Sequence, residues 1–238
     1  MAKTAQLELP LLAPSQAQKH VTVNEALARL DAVAQLRVVS SSLSAPPAGA
    51  SEGAGYLVAA GPSGDWAGQA GRIAVRSNGG WAFLAPRAGW RAWDEGRGGH
   101  WLHDGTAWVA DAVVASPNGA GTTWKVLEFD HVIVPGTTNT TATAIPAQAQ
   151  VIGVTGRVIG AVGGSGLTGW RLGVAGSDNR YGSGLGIELN SYVAGLSGSP
   201  VTYYAATSLL LTAEGGSFGS GKIRLALHCV GIEPPRAV

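Results

Sequence analysis

From residue 56 to 109 the chain is a series of short strand-like runs, each cut off by glycine or by a turn pair such as Asn78-Gly79 or Asp104-Gly105. Such punctuation stops helices and long strands alike and forces many short strands joined by tight turns. In the last half the runs are KVLEFDHVIV, VIGVTGRVIGAV, TGWRLGVAG, GLGIELN, VTYYAA, SLLLTAEGG and KIRLALHCVGI. Their spacing of roughly ten to fifteen residues predicts an antiparallel β-sandwich or jelly roll. The expected fold is therefore mostly β: an N-terminal arm plus one helix, a small Trp-rich β-domain, and the C-terminal sandwich.

The helix is expected within residues 10–38, PLLAPSQAQKHVTVNEALARLDAVAQLRV. Thr22 and Glu25 read as a capping box. Val23, Leu27, Leu30 and Ala34 then recur at four-three-four spacing and make one apolar stripe. An isolated helix this short is marginal in water, so the stripe needs a surface to cover it. That surface is either the rest of the domain or another subunit, since the spacing is also heptad-like. Before the helix, Leu11 and Leu12 lie in LELPLLAP, where Pro10 and Pro14 favour an extended arm that wants a partner. These six apolar residues form the expected docking and oligomerisation set.

The domains expected are residues 1–39 (arm and docking helix), 40–110 (Trp-rich β-domain), 111–124 (linker) and 125–238 (sandwich). Six of the eight tryptophans fall in the second of these: Trp66, Trp81, Trp90, Trp93, Trp101 and Trp108. They read either as core filling for a small domain poor in Leu and Ile, or as a sugar-stacking platform.

Little reactive chemistry is written in the chain. A net charge of +1 gives no electrostatic case for nucleic acid or a membrane surface. There is no signal-peptide pattern and no run of the roughly 18 apolar residues that a membrane span needs, so cytoplasmic synthesis is expected. Cys229, the single cysteine, sits in an apolar run and reads as core. His100 and His103 are an odd number of residues apart and so point to opposite faces of a strand. Asp94 with Glu95, and Glu188 with Glu214, are carboxylates that nothing brings face to face. No catalytic residue, metal or cofactor is expected.

The best binding candidate is GSDNRYGSGLG, where Asp178, Asn179, Arg180 and Tyr181 combine planar polar groups with an aromatic ring. Trp170 and Tyr203 are expected to line the same surface, although of the adjacent pairs Trp170/Arg171 and Tyr203/Tyr204 only one member faces each way. The alternative is a tight hairpin whose Asp and Asn accept local N–H groups.

LPLLAPSQAQKHVTVNEALARLDA, GYLVAAGPSGDWAGQAGRIAV, GGWAFLAPRAGWRAW and HDGTAWV resemble an uncharacterised family, a domain of unknown function, of phage tail-fibre and head-spike-like proteins. The family occurs in alphaproteobacterial prophages and gene transfer agents. IPAQAQVIGVTGRV, GWRLGVAGSDNRYGSGLG and YYAATSLLLTAEGGSFGSGKIRLALH resemble its longer members. The resemblance implies a component of the virion or transfer-particle surface, anchored to another particle protein by its N-terminal part. It implies an outward domain that contacts host cell-surface polysaccharide. A homo-oligomer is expected, a trimer first and a pentamer if the protein sits on a capsid vertex. The alternatives are a structural connector without a glycan site and a capsule depolymerase.

Overall fold

The computed structural model describes residues 2–13, 19–142 and 145–237. It divides into two compact units, Met1–Gly121 with Glu233–Val238, and Thr122–Ile232. The fold is mostly β, with one helix near the N-terminus. The expected end of the arm, Pro14, lies outside the described residues.

In the first unit, α1 spans Lys19–Ala34. Thr22 and Glu25 lie inside it, so the expected capping box does not start the helix. The inward side of α1 is partly polar. Asp31 and Asn24 are two turns apart on one face, and both hold the arm. The Asp31 carboxylate accepts from the Thr4 hydroxyl (2.7 Å) and from the backbone N–H groups of Gln6 (2.9 Å) and Leu7 (2.6 Å). Asn24 accepts from the Leu12 N–H at 2.9 Å and donates to the Leu12 carbonyl at 3.1 Å. Lys3 and Pro10 bridge antiparallel, so the arm folds back on itself against α1 and does not extend outward as expected.

The unit's strands are β1 (Arg37–Val38), β2 (Gly55–Leu57), β3 (Ile73–Ser77), β4 (Gly80–Leu84), β5 (Arg91–Asp94), β6 (Gly99–His103), β7 (Trp108–Ala110) and β8 (Ala112–Ala115). The first seven form the sheets β1-β5-β6-β7 and β2-β3-β4, with β1 parallel to β5. Asn78 and Gly79, both at positive φ (52° and 74°), turn β3 directly into β4, the conformation a two-residue hairpin turn requires.

The tryptophans are mainly structural. Trp66 is fully buried among Tyr56, Val58 and Ala74, with the Trp81 ring edge-on at 5.1 Å. Trp90, Trp101 and Trp108 pack on a cluster that includes Ala32, Val38, Ile73 and Ala92, and of the six tryptophans between residues 66 and 108 only Trp93 is exposed. After β8 and the whole second unit, the chain returns to the first. There Arg236 pairs with the buried Asp104 carboxylate and donates to the Pro117 carbonyl at 3.0 Å.

The second unit is built from β9 (Gly121–Val132), β10 (Thr138–Thr140), β11 (Ala149–Gly163), β12 (Gly169–Val174), β13 (Ser177–Leu185), β14 (Tyr192–Tyr203), β15 (Leu210–Glu214) and β16 (Ser220–Glu233). One sheet runs β14-β11-β16-β9 and the other β10-β15-β12-β13. Renumbered from β9 as one to eight, these orders are 1-8-3-6 and 2-7-4-5, the doubled Greek key of a jelly roll. Between the sheets lie Val151, Val154, Val158, Leu172, Leu211, Phe218, Ile223, Leu225 and Leu227. Cys229 is buried here too, a core residue as its sequence context suggests. At Gly195 an added Cβ would meet the Tyr181 carbonyl oxygen at 2.0 Å, so only glycine lets β14 approach β13.

Burial works to raise the Asp31 carboxyl pKa, and its hydrogen bonds outweigh that and hold it below the usual value. A lowered native pKa stabilises above the unfolded value of about 3.9 and is lost as pH falls through the native one. Asp31→Asn is expected to cost about 1–3 kcal/mol at pH 7 by weakening the charge-assisted bonds to the arm. The gap in melting temperature from wild type should close as pH falls below about 4, which thermal melts across pH check.

Candidate functional site

In the second unit the turn between β12 and β13 is confined to Ala175 and Gly176, the latter at φ 80°. Asp178, Asn179, Arg180 and Tyr181 therefore lie on strand β13, beyond the tight turn. Side chains on a strand are divided between core and solvent. Tyr181 goes inward, Asn179 and Arg180 are exposed, and Asp178 is half-buried over the outer face.

Trp170 and Tyr181 are core residues, each 2% exposed. The Trp170 indole N–H donates to the Gly186 carbonyl at 3.0 Å, and the Tyr181 and Tyr203 hydroxyls share a 2.8 Å hydrogen bond. Burial, then that hydrogen bond, push the Tyr181 phenol well above its ordinary pKa. Neither Trp170 nor Tyr181 offers a ring to a ligand. Tyr203 is half-buried, and Tyr204 is the exposed member of its pair. The expected six-residue carbohydrate set is thus split, because the second sheet packs on the side that Trp170 and Tyr181 face.

What the outer face of β10-β15-β12-β13 presents is Arg171. Its guanidinium lies 3.1 Å from Asp178 and 3.6 Å from Glu214. Glu214 also accepts the Gly184 N–H at 3.0 Å. Thr212 and Thr138 follow Arg171 in register across β15 and β10. Gly169 and Gly173, which flank Arg171 on its own strand, are both buried, the space beside them taken by Leu185 and Glu214 and by Ser177 and Asp178. The result is a polar strip on rigid strands, in which Arg171, Asp178 and Glu214 are paired with one another. Arg171 and Glu214 were visible in the sequence as one member of an alternating pair and as an isolated carboxylate. Their meeting depends on β12–β15 register.

In the first unit the expected docking residues lie at the surface. Val23, Leu30 and Ala34 are exposed, Leu30 by 51%, and Leu27 is half-buried. Leu12 is exposed and Leu11 half-buried beside a cleft of about 680 Å³, also lined by Val21, Asn24, Arg29 and Trp81. His103 is buried and His100 exposed on β6, on opposite faces as their spacing requires. Among the described residues no group of three or more His, Cys, Asp or Glu side chains is placed to hold a metal ion. None of their helices is long and apolar enough to cross a membrane.

Residues 23–109 match the model of a family described as a protein of unknown function (DUF2793). The match begins within α1 and ends in β7, inside the first unit. No curated protein matches the chain. Among solved structures, a chain from one described as the cyanophage Pam1 capsid asymmetric unit is similar at 21% identity and a TM-score of 0.31. That alignment covers 47% of this chain and 84% of the capsid-structure chain.

The geometry separates core from surface at neighbouring residues of the former candidate set. Trp170→Ala should cost about 3–5 kcal/mol, as a buried aromatic does. The Asn179→Ala/Arg180→Ala double variant should stay within about 0.5 kcal/mol of wild type. Denaturant titration of the three proteins measures both.

Proposed function

We propose that the chain is a structural protein of a phage or gene-transfer-agent particle, of the fibre or spike kind, without enzymatic activity. It docks on another particle protein through the arm and α1, and it turns the polar strip around Arg171 toward host surface polysaccharide. The observation that carries this reading is the exposure of the Val23–Leu30–Ala34 stripe. The arm takes the flank with Asn24 and Asp31 and the unit's own core takes the side with Ala32, so the stripe is left for a partner. The jelly roll fits the reading, as an architecture used by capsid and lectin domains, though a fold alone does not assign a function. Weak glycan contacts on such an appendage gain strength from repetition, by as much as roughly 10²–10⁴ in avidity.

A connector without a glycan site is the second reading, favoured by the burial of Trp170 and Tyr181. Labelled protein and an isogenic pair of capsulated and capsule-free cells separate the two. Capsule-dependent binding that falls in the Asn179→Ala/Arg180→Ala variant supports the polysaccharide site; equal, negligible binding to both strains supports the connector. For docking, Val23→Ser/Leu30→Ser should lower incorporation into particles about tenfold or more while stability moves by no more than about 0.5 kcal/mol per site. Unchanged incorporation refutes the α1 seam.

A further inference from the structure

The two outer faces of the jelly roll differ in kind. The one around Arg171 is polar, whereas β14-β11-β16-β9 exposes Trp124, Val126, Val132, Tyr192, Leu196 and Ile232, each by 60% or more. The registers give this face a shape. Leu196, Ala194 and Tyr192 on β14 stand beside Gly153, Thr155 and Arg157 on β11. Those in turn stand beside His228, Ala226 and Arg224 on β16. Arg224 meets Asp130 at 2.7 Å, and the Ile133 N–H donates to the Gly221 carbonyl at 2.9 Å. Both contacts mark one antiparallel offset, which sets Val126 beside His228 and Trp124 beside Val230. Large apolar side chains thus rise on β14 and on β9, and a trough floored by Gly153, Thr155 and Ala226 runs between them.

The polar groups in and around this trough already have partners. Asp130 takes Arg224 and Lys222, the latter at 2.8 Å, and Glu128, which the same offset sets beside Ala226, lies 3.8 Å from Arg224. Thr155 and His228 share a 2.9 Å hydrogen bond, and Arg157 donates to the Asn190 carbonyl at 3.0 Å. A sugar needs free donors and acceptors, and an acidic partner needs uncompensated cations; this face offers few of either. Its wealth is apolar area. At about 60–120 Å² for each large side chain, the six amount to several hundred Å². That reaches the range where monomers rarely leave a patch bare and approaches the ~800 Å² that one partner contributes to a standard interface.

We propose that this face is a contact between copies of the chain, the β14 ridge of one seated in the trough of another. A second copy brings the same near-neutral chemistry and a ridge of matching shape. The contact stands independently of whatever partner α1 takes.

The test is the mass of the full chain in solution by native mass spectrometry and sedimentation velocity at micromolar concentration. An oligomer is expected. Val126→Glu/Leu196→Glu should weaken association by about 100-fold or more, with the circular dichroism spectrum retained. Tyr192→Ser/Leu196→Ser, at two positions 69% and 82% exposed, is the milder variant should the first not fold. Leu30→Glu on α1 is the control, and it should leave association through this face intact. A monomeric wild type overturns the proposal, as does an oligomer that both folded face variants retain or that Leu30→Glu alone abolishes. In a monomer, loss of binding to capsulated cells on Trp124→Ala would reassign the face to polysaccharide, and no such loss would reassign it to a different particle protein.

Discussion

Closing two sheets over a single apolar core settles the surface chemistry of the second unit. In a strand the side chains divide between two sides, so burying one set dictates which set remains for a ligand or a partner. Trp170 fills the core because Leu172 and Val174 on the same strand do, and Arg171 is thereby turned out to meet Asp178 and Glu214. The same rule on the other sheet puts Val154, Val158, Ile223 and Leu225 inside. It leaves Thr155, Arg157, Lys222 and Arg224 outside, with Tyr192 and Leu196 alongside them. Two faces of opposite character follow from one packing event.

That event also explains how much could be read in advance. The strand runs, their glycine turns and the sandwich class follow from local patterns. So does the single helix, and so does the split of His100 from His103. The side to which Trp170 points does not, because alternation says only that Trp170 and Arg171 diverge. Which of them is covered depends on the second sheet, whose strands come from distant stretches of chain. The DNRY segment misled for a related reason. Its Asp, Asn and glycine neighbours have turn chemistry, yet the segment pairs with β12 and buries Tyr181 as a strand.

The helix shows the limits of amphipathic reasoning from the other direction. The stripe through Val23, Leu30 and Ala34 is real, but in this chain it faces out. The covered side includes Asp31 and Asn24, which a hydropathy pattern reads as solvent-facing. They are covered because the arm lacks strand neighbours for several of its backbone groups, and buried N–H groups must find acceptors. A carboxylate with three donors satisfies them at one point.

The return of the chain from β16 to the first unit bears on biosynthesis. Arg236, which closes on Asp104 and Pro117, follows the whole jelly roll in sequence. A ribosome therefore delivers every strand of the second unit before it delivers the residue that completes the first. The second unit is a contiguous segment, whereas the first is closed by a residue that lies just beyond β16. The chain order of the two units is thus not the order in which their last residues are synthesised: the unit begun first is the one whose final contact comes last.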